Sequence, residues 1–260
     1  MILDIFIQIF GAAGAIFTIS LGIPQLIRLL KNKKAENINY YSFWIFFVGI
    51  VIWIIYGVFT PNEDGWYVFL ANLICGIIFS FTIYYTYAYN KEITKKQLRI
   101  ATIFIVLIDL LIAAFLAVFI VLVIQKIQTK MFYPKENNKI ATFSKNASII
   151  IGLITPALTA LAFLPQLIKG FMTKNFHGLS PWMPFLFILN CLSWMLFFTL
   201  VVIKAKNPKA DLEESKSIIN AAIGALIWQS LAVILYTVQF AFIMVHEKKL
   251  KKEQFIIKEA

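Results

Sequence analysis

Three observations predict an all-α membrane protein whose seven transmembrane helices form two parallel three-helix repeats joined by a linker helix. The 260-residue chain is 60% hydrophobic and only 14% charged, with a mean hydropathy of +0.81, whereas soluble domains run near half apolar and a quarter charged. Seven apolar runs reach the roughly 20 residues that a helix needs to cross a hydrocarbon core. The third observation is that one stretch is written twice. Thr18 to Trp53 falls without a gap on Thr159 to Trp194 after a shift of 141 positions, with Pro24-Gln25-Leu26-Ile27 on Pro165-Gln166-Leu167-Ile168, Phe46 on Phe187 and Trp53 on Trp194. Four consecutive identities and a Trp in register mark a duplication.

The spans are expected near 5–27, 41–60, 66–88, 100–125, 147–171, 182–203 and 217–245. The first begins after Met1-Ile2-Leu3-Asp4, which lacks the basic region of a cleavable signal and so reads as a retained span. The second and third complete a repeat over 1–90. Gly76 and Gly224, each four residues after an Asn (Asn72, Asn220), extend the match into the third span of each copy once a seven-residue insertion is allowed. Each copy has three crossings, so a direct fusion would invert the second. The helix at 100–125 has no echo elsewhere, and within a linker at 91–146 it turns the second repeat, 147–246, parallel to the first. A basic tail, 247–260, follows. Cys75 and Cys191 sit inside apolar runs and read as packing residues.

Short cytoplasmic loops retain Lys and Arg. With the N-terminus outside, fifteen of the twenty-four basic residues fall inside: Arg28, Lys31, Lys33 and Lys34; Lys91, Lys95, Lys96 and Arg99; Lys169 and Lys174; and five in the tail. The loop at 126–146, with five Lys, falls outside against the trend. The balance predicts a multi-pass protein of the cell membrane, N-terminus out and C-terminus cytoplasmic. The +11 charge therefore belongs to loops at a bilayer surface, not to a nucleic-acid-binding face.

Pro24 and Pro165 lie near the cytoplasmic ends of their spans, where a proline removes a backbone hydrogen bond and bends or ends a helix. They read as paired hinges at an inner gate, with Gln25 and Gln166 beside them to satisfy the carbonyls that a break releases. Trp66, Trp182 and Trp44 fit an interfacial aromatic belt. Trp53 lies about seven residues, roughly 10 Å, from the outer end of its span, and Asn72 lies at the same depth on the next, antiparallel one. A lone intramembrane Asn is usually a helix–helix contact, but duplication makes Trp53, Asn72, Trp194 and Asn220 candidates for one cavity. Indoles and carboxamides there suit a neutral, hydroxyl-rich ring. Apart from Lys169, at the cytoplasmic end of the fifth, no Arg or Lys lies within the spans to receive a carboxylate or phosphate. Asp109, the one deep carboxylate, stands on the unduplicated helix, where a structural role outweighs the functional role usual for such acids. His177 and His246 are expected in loops without metal-ligand spacing. No cofactor or metal is implied, and no nucleophile–base pair suggests an enzyme.

The Pro-Gln-Leu-Ile segment at 24–27, Ile52-Trp53-Ile54-Ile55-Tyr56-Gly57 and Leu70-Ala71-Asn72 resemble the bacterial SemiSWEET unit. The doubled form resembles the SWEET sugar transporters of the PQ-loop (MtN3/saliva) superfamily, a standing example of parallel-repeat transporters. The resemblance covers nearly the whole chain apart from the linker and tails. It implies that the span-two Trp and span-three Asn contact the sugar, which carries over to Trp53, Asn72, Trp194 and Asn220, and that Pro24 and Pro165 are the hinges. It also implies facilitative transport of a small neutral sugar by alternating access. Two departures stand out: Phe197-Phe198 replaces Tyr56-Gly57, and the further proline of plant-type second spans is Ser42 in the first copy and displaced to Pro184 in the second. The alternatives are a proton-coupled amino-acid exporter of the cystinosin-like branch, which would employ Asp109, and a sorting receptor resembling the KDEL receptor. Whether the chain acts alone or as a homo-oligomer stays open.

Overall fold

A computed structural model describes residues 2–60, 65–134, 138–173, 175–176, 179–206 and 212–259. The described chain forms α1 (Ile2–Ser20), α2 (Ile23–Asn32), α3 (Tyr40–Phe59), α4 (Gly65–Ala88), α5 (Lys95–Thr129), α6 (Lys145–Leu161), α7 (Leu164–Thr173), α8 (Trp182–Ala205) and α9 (Leu212–Glu259). Seven spans are long and apolar enough to cross a membrane, with α1 and α2 making one and α6 and α7 another. The protein is a multi-pass membrane protein. The expected basic tail is a continuation of α9, so His246 lies on a helix and not in a loop; His177 lies outside the described residues.

Local chemistry sets the boundaries. Asn39 caps α3 by accepting from the Tyr41 N–H at 2.9 Å. Thr94 and Gln97 form a capping box at the start of α5, and Lys33, at φ 48°, closes α2 in the left-handed region. The expectation of a proline kink inside a continuous first span is corrected. The helix ends at Ser20, and Pro24 sits in the first turn of α2; Pro165 is likewise the second residue of α7. Proline has no N–H and a fixed φ, so it fits where a helix begins and its donors are unmatched anyway.

The packing obeys the pseudo-two-fold relation. α3 packs on α4 as α8 packs on α9; α1 packs on α4 and crosses to α8, while α6 packs on α9 and crosses to α3. The linker α5 lies against α4 and α3. There the Ser80 hydroxyl donates to the Asp109 carboxylate at 2.6 Å, so this acid ties the linker to the first repeat.

Candidate functional site

The two seams where the repeats meet, α1 with α8 and α6 with α3, hold the Trp residues. Trp194 lies flat on Gly14: a Cβ added there would come 2.7 Å from the indole Cε2. Its N–H reaches Asn190 Oδ1 at 3.2 Å, and Thr18 donates to the same oxygen at 2.8 Å. In the other seam Gly49 faces Thr159, and Gly152 faces Tyr56 as Gly11 faces Phe197. Trp53 is on the Gly49–Tyr56 stripe and therefore lies between those contacts. The edge-on pairs match closely: Trp53 with Tyr56 at 5.5 Å, and Trp194 with Phe197 at 5.4 Å.

The expected depth of Trp53 and Asn72 is met. α3 and α4 touch at Gly57–Phe69 toward one end and at Phe46–Phe79, 4.6 Å apart, toward the other. These antiparallel contacts bracket Trp53 and Asn72 at one level. Asn72 is 6% exposed, and its amide donates to the Val68 carbonyl at 2.8 Å. Among the described residues, its Oδ1 and the Trp53 indole N–H have no protein partner, and neither atom is sealed in the core.

Asn220 is not brought to the corresponding place. It is exposed, and it is two residues from Ala222, on the opposite side of α9 from the buried stripe. Phe79 packs against Gly22 and Phe46 in the first repeat. The residue that packs against their equivalents, Phe163 and Phe187, is Tyr236, with ring centroids at 6.3 and 4.3 Å. The seven-residue insertion inferred from the Asn and Gly pairs therefore sets α9 out of register by more than two turns, and Asn220 lies well beyond the level of Trp194.

On the side of the helix breaks the two repeats meet at two successive levels. Phe46 and Phe187, equivalent residues, meet at 5.1 Å, and Phe163 packs on both at 5.7 and 5.3 Å. Beyond this plug, Gln25 and Gln166 are fully buried. The sequence assigns them to carbonyls released by their own breaks; their side-chain oxygens instead reach the other repeat. Gln25 Oε1 accepts the Ser180 N–H at 2.8 Å, and Gln166 Oε1 accepts the Asn39 N–H. Ser180 and Asn39 are themselves 141 positions apart, so each glutamine latches onto the loop that opens the second span of the other repeat. Around the second latch, Ser42 Oγ accepts the Gln166 N–H at 3.0 Å, and Lys169 donates to the Ile38 carbonyl at 3.1 Å. Arg28 and Glu247, 2.6 Å apart, add an ion pair between the repeats.

Sequence reasoning missed Asn190, Thr18 and the seam glycines. Asn190 stands opposite Gly49 in the duplication, so a search for repeated polar residues passes over it. Gly11 and Gly152 are repeated and were legible in principle.

The chain matches the PQ loop repeat family over residues 6–66 and 147–203. It is 26% identical over 78 residues to the sugar transporter SemiSWEET of Leptospira biflexa, a match covering 30% of this chain and 88% of that one. Among solved structures it is similar to a eukaryotic SWEET transporter determined at 3.7 Å, with a TM-score of 0.52 and 17% identity, covering 93% of this chain and all of that one.

Proposed function

We propose that this chain, which belongs to the PQ-loop repeat proteins in their doubled, SWEET form, carries a small neutral sugar down its gradient by alternating access. The observation that supports this most is the reciprocal latch: Gln25 on the Ser180 loop and Gln166 on the Asn39 loop close one end of the molecule while the Trp seams lie beyond the plug toward the other. A carrier needs a gate that can part as a unit. Four hinge and gate residues, Pro24, Gln25, Pro165 and Gln166, sit at the two breaks where the spans are already divided into separate helices.

The free polar atoms near the seams support a neutral substrate. The Trp53 indole offers a donor and a face, and Asn72 offers an acceptor, a set that suits hydroxyl groups over a ring. A carboxylate or phosphate would need a cation, and three basic side chains on the spans are already engaged: Arg28 with Glu247, Lys169 with the Ile38 carbonyl and Lys204 with Asp4. Asp109 is held by Ser80 on the linker side of α4 and not at a repeat seam, which weakens the proton-coupled reading. In the cell the latched end faces the cytoplasm, with the N-terminus outside.

The test is radiolabelled counterflow in proteoliposomes with a panel of hexoses, disaccharides and neutral amino acids. Saturable exchange of a sugar is expected. Trp53→Ala and Asn72→Ala should each reduce it about tenfold or more, because losing an aromatic platform or a buried amide pairing costs on the order of 1 to 3 kcal/mol, while Trp66→Phe should be nearly silent. Exchange of amino acids alone would replace this reading.

A further inference from the structure

We propose that Gln229 supplies the second repeat's carboxamide in the transport site, an assignment that rests on the transport reading above. The packing that places Tyr236 in the role of Phe79 relates α9 to α4 by 157 positions. Burial along the helix follows the same relation: Cys75, Phe79, Thr82 and Thr86 are buried on α4, and Ala232, Tyr236, Gln239 and Ile243 are buried at the related positions of α9. Under the alternative shift that pairs Asn72 with Asn220, the residues opposite Cys75 and Phe79 are Ile223 and Ile227, 45% and 55% exposed. One helix cannot satisfy both registers, and burial selects the first.

In that register Gln229 answers Asn72. It lies one turn from Ala232 on the buried stripe, yet is itself only half-buried, so the stripe opens there. Its depth follows from how α9 packs on α8. α8 and α9 touch at Phe187–Tyr236, 4.3 Å apart, and at Phe185–Phe240, 5.7 Å apart. Continuing that antiparallel pairing toward the other end brings Trp194 level with Gln229. The second repeat thus has its own indole and carboxamide at one depth, as the first has Trp53 and Asn72. Among the described residues the Gln229 amide has no protein partner, and it is not sealed in the core. An unpaired carboxamide deep in a span is costly unless water or a ligand meets it.

Two readouts test this. In counterflow, Gln229→Ala should lose about tenfold or more while Asn220→Ala keeps nearly full activity, and Gln229→Asn should recover part of the loss; the reverse order of Gln229→Ala and Asn220→Ala overturns the proposal. The second readout needs no substrate and is read on membrane vesicles from a C75A/C191A background. Thiols react as thiolates and therefore only where water reaches, so Gln229→Cys should react with a maleimide as Asn72→Cys does. Leu231→Cys, on the lipid side of the same turn, should resist. If Asn72→Cys reacts and Gln229→Cys does not, the Gln229 assignment is wrong even if sugar is transported. If both react but no sugar exchanges, the assignment of the cavity stands and the substrate reading fails.

Discussion

The Trp194 indole is fixed by two neighbours of different kinds. Gly14 lets the ring lie against the α1 backbone, and Asn190 takes its N–H. Any side chain at position 14 must displace the ring, since a Cβ would come 2.7 Å from it. Gly14→Ala should therefore destabilise the protein by about 1 to 3 kcal/mol, read as a lower thermal midpoint in detergent. Adding Trp194→Phe should recover most of the midpoint but not the counterflow, because the smaller ring yields the space and lacks the N–H. If Gly14→Ala leaves both midpoint and counterflow unchanged, the ring is not seated there in solution. The first repeat has no such arrangement: Gly49 replaces Asn190 and Thr155 replaces Gly14, so among the described residues the Trp53 N–H has no partner. The two indoles share a place in the fold and differ in chemistry.

At the scale of the helices, the latches join α2 and α7 to loops of the opposite repeat. Removing both glutamine acceptors leaves the buried Ser180 N–H and the part-buried Asn39 N–H without these partners, at about 1 to 3 kcal/mol each, and the loss falls on the latched state alone. Gln25→Ala combined with Gln166→Ala should thus shift the population by on the order of 30-fold or more toward an opened inner end. Spin labels at the equivalent positions Lys31 and Met172 should report longer distances in the double variant; an unchanged distance distribution would mean that the latches do not hold the gate. The tie between α4 and α5 predicts a different result. Asp109→Asn should keep counterflow nearly intact, and a pH gradient should not drive accumulation through the unmodified protein. Proton-driven uptake abolished by this substitution would return Asp109 to a coupling role. The spans, the paired prolines that mark the breaks and the parallel repeats were legible because apolar length and a gapless duplication are strong signals. The register of α9 was not. Asn and Gly four residues apart form a short motif that recurs readily, whereas the register is set by which stripe of α9 faces Phe163 and Phe187. Nor does a linear sequence say that a glutamine acts on a loop more than a hundred residues away.

Across the whole molecule, the lysines and arginines gather at the latched end, on Arg28, Lys31, Lys33 and Lys34 and on the continuation of α9. A cysteine replacing Lys139, in a C75A/C191A background, should therefore be labelled by an impermeant reagent added to intact cells, and one replacing Lys33 should be spared; the opposite pattern inverts the proposed orientation. The plug itself bears on how the chain came to be a single polypeptide. Gly22 admits Ile78 and Phe79 where a Cβ would come 2.8 Å from Ile78, and its equivalent, Phe163, fills the space between Phe46 and Phe187. Two copies of the first half would meet with a void where Phe163 belongs. Two copies of the second would bring a second phenylalanine into the space that a single one fills. The ancestral half could have assembled with itself; its descendants have become complementary parts, so a gene split between them would require both products and neither fragment would substitute for the other.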